Sequence, residues 1–579
     1  MSSFTTRQSA STNSAYHYHS IFGDICSTRF AKLARFILIM AWAATLITSL
    51  GSSKSWWATL LPLWALPQFI GFFLLTCLRK NNLHVDLLGY KTLASQVLGQ
   101  LFNKKFTLAV ILYTTSSLIY FQLVQSQFDI RIAATPKKHQ YPPLNDNFVF
   151  YYYFAVFVAV IYSIQHSVFD RDRLVFTYGT FHAHPKAAIM GKIPKMMSNS
   201  IIFTVFVMTS APLFYLVVRY TLYDITLTTM SVFYSLNNSY PSLAISFGFL
   251  IKLSITTFIL FACWELVNIS FNAYMSIGCL HRGHTLSELS TDPVGTLLTG
   301  LKSEKLFTKL TAFQELAYIS KAEDNELRMA IYNRNNRREY VWGEILQECE
   351  KVIKTNNINI LRSITQITPA PVVDQKKTIR DQHIFGREYY PQEFERRDDD
   401  LFKSVPIVPV TEPSFLDTNM IPLVVKNVKE FISLAKEYYL KFVTSGFGMP
   451  FRHTAIREAE FLCPTPVIVG NAIIAVSLIG THSYNEDKKG TVSSTITDVL
   501  EILEKSVSAC GRFVQRPPEH LVETEEDNLI TMLHELSMNA FFEVTVQFSS
   551  VLKDLVLSPD VYRLVNWTLE TAMNDGQVE

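Results

Sequence analysis

The chain has 579 residues, 49% of them hydrophobic, and its 52 Lys and Arg against 50 Asp and Glu leave a net charge of +2. So even a balance gives no bulk field for nucleic acid, and the length accommodates a membrane domain plus one or two soluble ones. The 7 cysteines form no C-x-x-C pair, which excludes a zinc ribbon or a disulfide framework as the organising device.

Residues 1–32 are rich in Ser and Thr and lack the apolar run of a signal peptide, so they read as a flexible arm. Six apolar stretches then crowd into residues 33–271: Phe36–Gly51, Trp56–Leu78, Phe106–Val124, Phe148–Val168, Ile201–Val218 and Leu243–Trp264. A helix needs about 17–25 mostly apolar residues to cross the hydrocarbon core. The first stretch reaches that length when Leu33–Arg35 are included and Arg35 snorkels to the interface. Lipid offers the backbone no hydrogen-bond partners, and the runs lack the alternation of membrane-barrel strands, so helices are expected.

Basic residues set the predicted orientation. Arg7, Arg29, Lys32 and Arg35 precede the first span. Arg79, Lys80, Lys91, Lys104 and Lys105 lie between the second and third, and Arg171, Arg173, Lys186, Lys192 and Lys195 between the fourth and fifth. The alternate loops hold Lys54, then Arg131, Lys137 and Lys138, then Arg219. Both termini are therefore expected on the cytosolic side. The sequon that starts at Asn237 falls in a lumenal loop, where a glycan could be attached. The sixth span carries Lys252 and Glu265, about 20 Å apart along one helix. Charges at that depth would suit a transporter or a membrane enzyme.

No comparable span is expected after residue 271, and the rest reads as soluble and mostly helical. Residues 272–300 form a connector. Leu306, Leu310, Phe313 and Ala317 recur at helical spacing, with Leu316 and Ile319 widening the stripe, and predict a helix over Glu304–Ala322. A second helix is expected over Tyr340–Lys354, completing a first soluble segment at 272–364. Seven prolines between Thr365 and Pro422 mark 365–422 as a linker. In the C-terminal domain, 423–579, helical periodicity covers Val424–Val443, Ile496–Val507 and Asn528–Leu552. Thr465–Ile474 holds enough Val and Ile for a short strand.

Reaction chemistry is hard to find. His534-Glu535 begins like a zinc-protease motif, but Met538 stands where the second imidazole belongs. Asn485–Gly490 suggests a calcium loop, yet Lys489 is a cation at a ligand position and Ile496 replaces the closing Glu. His182 and His184 are two residues apart and do not share a helix face. No catalytic residue, cofactor or metal is implied.

Three motifs, in a fixed order relative to the spans, carry a family likeness. Phe169-Asp170-Arg171-Asp172-Arg173-Leu174-Val175-Phe176 follows the fourth span. Gly300-Leu301-Lys302, then Ala312-Phe313-Gln314-Glu315-Leu316, follow the sixth. Ala475–Ile479, Ser483-Tyr484-Asn485-Glu486-Asp487 and Gly490-Thr491-Val492 lie near the C-terminus. Together these resemble the six-span transmembrane nucleoporins of nuclear pores and fungal spindle pole bodies. Thr177 stands where the family often has Pro. The resemblance implies a structural anchor in the nuclear envelope and no enzyme. Its implied partners are scaffold, linker and other transmembrane nucleoporins together with spindle pole body components. It implies support for the assembly of pores and for insertion of the pole body. Phe313, Glu315, Leu316, Glu486 and Asp487 become candidate partner-binding or structural residues. The expected fold is a mainly α membrane protein: a six-helix transmembrane domain followed by a helical cytosolic or nucleoplasmic domain.

Overall fold

The computed structural model describes residues 17–49, 62–365 and 441–574, apart from 129, 135–140, 177–178, 180, 238–245, 324, 334, 337–338, 443–444, 516 and 519–527. Helix α1 runs over Tyr18–Ser49. It starts well inside the arm expected over residues 1–32, which is a correction to that reading. Tyr18, Phe22, Ile25 and Arg29 follow one another at helical spacing and are all buried, a stripe concealed by the Ser- and Thr-rich residues around it.

Five more helices complete the membrane half: α2 (Leu66–Asn82), then, after a short helix α3 (Leu93–Leu101), α4 (Lys104–Val124), α5 (Asp146–Val168), α6 (Pro185–Ser231) and α7 (Phe247–Met275). Residues 56–61 of the expected second span lie outside the described residues. Neighbouring spans pack side by side, and α7 closes back onto α1 and α2. Like α1, two further helices outrun their apolar stretches. At 47 residues α6 is about 70 Å long, more than twice the hydrocarbon thickness. Its basic N-terminal part, expected as loop, contains good helix formers and starts with Pro185 in the first turn, where proline is favoured. Helix α7 continues past Trp264 and so carries Glu265 and Asn268.

The expected connector contains structure of its own: a hairpin of β1 (Leu280–His281) and β2 (His284–Thr285), then α8 (Pro293–Leu301). Next come α9 (Leu306–Lys321), α10 (Glu326–Asn333), the small ladder of β3 (Asn335–Asn336) with β4 (Glu339–Tyr340), and α11 (Val341–Thr365). Nearly all of the expected linker 365–422, and the predicted helix Val424–Val443 except Lys441 and Phe442, lie outside the described residues. The chain continues with α12 (Ala455–Leu462), α13 (Pro466–Glu486), α14 (Ile496–Gln515), α15 (Leu529–Gln547) and α16 (Pro559–Asn574).

Six helices among the described residues are long and apolar enough to cross a membrane, and they include α13 but not the 17-residue α2. Packing separates the two cases. The apolar window of α13 is 67% buried inside the protein, against 22–56% for the others. It is wrapped by α9, α11 and α15, and is therefore the central helix of the soluble core. The Val- and Ile-rich run that left a strand open is helical here, with Pro466 in its first turn.

Two apolar cores result. One lies among the spans, from Leu33 and Ile37 to Phe271 and Met275. The other joins α8–α11 to α12–α16, so the segments on either side of the undescribed stretch share one interior. Helix α1 belongs to both: Tyr18, Phe22 and Ile25 enter the soluble core, and Leu33 and Ile37 the membrane core. Phe176 and Phe307 pack against both cores as well.

Candidate functional site

Buried and half-buried charges collect where the two cores meet. Their centre is the loop after α5, built from Asp170, Arg171 and Asp172. Asp170 adopts a left-handed backbone, with φ of 45°, which Asp tolerates better than most residues. That turn sends the three side chains in different directions. Asp170 accepts from His84 Nε2 at 3.1 Å, beside the backbone bridge between His84 and Arg173. Asp172 faces His166 Nε2 at 3.0 Å and Arg79 Nε at 3.7 Å. Arg171 Nη1 reaches back to Glu265 Oε2 at 2.5 Å.

Each of these groups is held again from behind. Arg79 is fully buried; its Nη1 donates to the Asn268 carbonyl at 2.7 Å and its Nη2 to Asn272 Oδ1 at 2.8 Å and to the Arg171 carbonyl. Tyr162 donates to Glu265 Oε1 at 3.0 Å, and Asn268 Nδ2 donates to Tyr162 at 2.9 Å. The motif loop thus fastens the ends of α2, α5 and α7. Burial opposes ionisation of Asp172, but the neighbouring His166 and Arg79, with hydrogen bonds from His166 and Asn82, outweigh it and hold the carboxyl below its ordinary range.

A second cluster pins α1 to the soluble module. Glu315 is completely buried and accepts from Tyr18 Oη at 2.7 Å, Ser287 N at 2.8 Å and Ser287 Oγ at 2.5 Å. Burial pushes its carboxyl up, against the pull of those bonds. One helical stretch along α1, Arg29 Nη2 donates to the Gly278 carbonyl at 2.9 Å. Gly278 has φ of 103°, a backbone open to glycine, and packs on the Phe181 carbonyl. Gly300 serves a close approach: a Cβ there would stand 2.7 Å from the Tyr18 ring and 2.8 Å from the Ala312 methyl.

The sequence-derived candidates can now be placed. Phe313 and Leu316 are fully buried in the soluble core, and Glu315 is the buried acceptor just described. None of the three reaches the surface. Glu486 forms a two-point ion pair with Arg328, with Nε to Oε2 at 3.0 Å and Nη2 to Oε1 at 2.8 Å. Asp487 braces the following turn by accepting from Val492 N at 2.7 Å and Thr491 Oγ1 at 3.0 Å. Asn237 is held by its backbone, N–H to the Pro142 carbonyl at 3.0 Å, and the rest of its sequon lies outside the described residues. His182 and His184 contact each other, ring centres 4.9 Å apart, on an exposed loop. Arg79, Arg171 and Tyr18 escaped the sequence reading as functional residues. Basic groups at span ends signal orientation, Tyr18 sits among polar residues, and the partners of all three lie far away in the chain.

Among the described residues no group of three or more His, Cys, Asp or Glu could hold a metal ion. A groove of about 400 Å³ opens between α11, α14 and α16, with Ile353 and Ile502 in its lining and Lys354, Glu504 and Arg512 among its charged groups. Nothing in this set forms a nucleophile–base pair. The fold and the seam define a polytopic helical membrane protein whose buried charges act as fasteners.

Relatives give the particular family. A family model described as "Nucleoporin protein Ndc1-Nup" matches residues 24–566, and the chain belongs to that family. It is 21% identical over 594 residues to the nuclear envelope protein ndc1 of Schizosaccharomyces pombe, covering 96% of this chain and 97% of the relative. It is 25% identical over 481 residues to the nucleoporin NDC1 of Chaetomium thermophilum, covering 72% and 74%. The chain is a structural membrane nucleoporin of the nuclear envelope. The alternative of a transporter or enzyme using Lys252 and Glu265 finds no support among these relatives. Lys252 is exposed near the start of α7, thirteen residues from the buried Glu265, and Glu265 is occupied by Arg171 and Tyr162.

Proposed function

We propose that this chain is a mooring that carries pulling and bending loads between the pore membrane and the protein scaffold, and that it performs no reaction. The observation that carries this reading is α1, a single helix buried in both cores, locked by Glu315 on one side and Arg29 on the other. A hinge would serve a catalytic or gating protein; a continuous helix with buried bonds at the boundary transmits force. The termini lie on the cytosolic and nucleoplasmic side, as the distribution of basic residues supports. Scaffold, linker and other transmembrane nucleoporins then dock on the soluble module. Its open groove suits a partner helix better than the buried Phe313 and Leu316 do. In a fungal cell the same mooring serves the spindle pole body. A glycan at Asn237 is part of the same topology, because that loop then lies in the lumen.

Fluorescence localisation of the tagged full chain tests the proposal. Punctate signal at the nuclear rim, with a focus at the mitotic pole, is the expected result. Diffuse signal at the plasma membrane contradicts it.

A further inference from the structure

A helix in a water-solvated protein turns its apolar side inward and its polar side outward. Helix α3 does the reverse. Its Gln100 is buried. Its Gln96 is held at both amide atoms, Nε2 donating to the Val168 carbonyl at 2.8 Å and Oε1 accepting from Arg457 Nη1 at 2.9 Å. On the opposite side Leu98 is 56% exposed, and Phe102, at the C-cap, 87%. Only Asn103 separates this cap from Lys104, where span α4 begins. The turn at Gly446–Phe451 packs beside α3 and also presents Met449 and Phe451 outward. Lys104 and Lys105 are exposed next to Phe102. Apolar side chains flanked by lysines, at the mouth of a span, form the pattern of a helix lying in the headgroup layer.

We propose that α3 lies in the plane of the bilayer surface on the side of the soluble module. Leu98 and Phe102 enter the upper acyl region, and Lys104 and Lys105 meet lipid phosphates. The bond from Gln96 to Arg457 of α12 then ties the soluble module to this lipid-bound helix, so that the module rests on the membrane beside the spans. The inference depends on α4 being a membrane span, and the test separates the two.

Nitroxide labels are placed at Leu98→Cys and Phe102→Cys in the full chain, with Cys26 and Cys77 replaced by Ala, in phosphatidylcholine nanodiscs. Ile111→Cys, exposed on α4, is the lipid-facing control, and Lys553→Cys in the soluble module is the water-facing one. The labels at 98 and 102 are expected to collide more with oxygen than with a water-soluble nickel chelate, at depths between the two controls. Nickel collisions at 102 as frequent as at 553 overturn the proposal. So does shielding from both reagents, which means that protein covers the helix. In either case a lipid-facing label at 111 leaves the span intact.

Discussion

At the scale of single residues, the loop after α5 works because its charges are paired, Arg171 with Glu265 and Asp172 with Arg79. Removing one partner from a buried ion pair costs about 3–5 kcal/mol, since the other charge stays desolvated. Arg171→Ala strands Glu265 in this way and is expected to cost that much in thermal unfolding of the detergent-solubilised chain. Exposed Lys553→Ala should change stability by no more than about 0.5 kcal/mol. The acid limb of stability follows from Asp172. Its folded pKa is depressed, so its contribution is complete above the unfolded value of about 3.9 and is lost as pH falls through the lower folded value. Asp172→Asn should lower stability at neutral pH and flatten that acid limb in a pH series of melting curves. A limb unchanged by the substitution would remove Asp172 as its source. The long-range pairing could not be read from the sequence: Tyr18 and Glu315 lie 297 positions apart, and Arg171 and Glu265 lie 94 apart. The motif residues stood out, but the spacing carried no record of what they touch.

At the scale of elements, two glycines make opposite predictions. Gly300 lets α8 approach α1 and α9, and Gly300→Ala should cost about 1–3 kcal/mol by overpacking. Gly343 is exposed on α11 with open space around it, so Gly343→Ala should stabilise by up to about 1 kcal/mol through helix propensity. Differential melting of the two variants reads both signs. Phe313 gives the sharpest test of what α9 does. If it is core, Phe313→Ala costs about 3–5 kcal/mol, and cooperative unfolding and pore localisation weaken together. Normal melting with lost localisation would instead make α9 a partner surface. The apolar runs marked α4 and α5 closely because apolar composition alone decides membrane tenancy. The same signal missed both ends of α6, where Lys, Met and Ala at the start and Arg219, Asp224 and several Thr at the end are helical without forming a lipid-soluble run. It also missed the start of α1, where four buried residues are diluted by polar neighbours. It was ambiguous for α13, since an apolar run reads alike in a bilayer and in a protein core; only the helices around it decide.

At the scale of the whole molecule, one continuous helix joins a lipid-solvated core and a water-solvated one. The division into two solvents was legible from where the apolar stretches stop. That the soluble segments on either side of the proline-rich stretch share one interior was not, because core sharing depends on contacts between distant helices. The mooring requires the module to face the nucleocytoplasmic side while α1 holds it to the membrane. Protease digestion of sealed nuclear-envelope vesicles, with a tag at the C-terminus, measures this most directly. The tag is expected to be cut while the vesicles remain closed. A tag that survives until detergent opens them would contradict it.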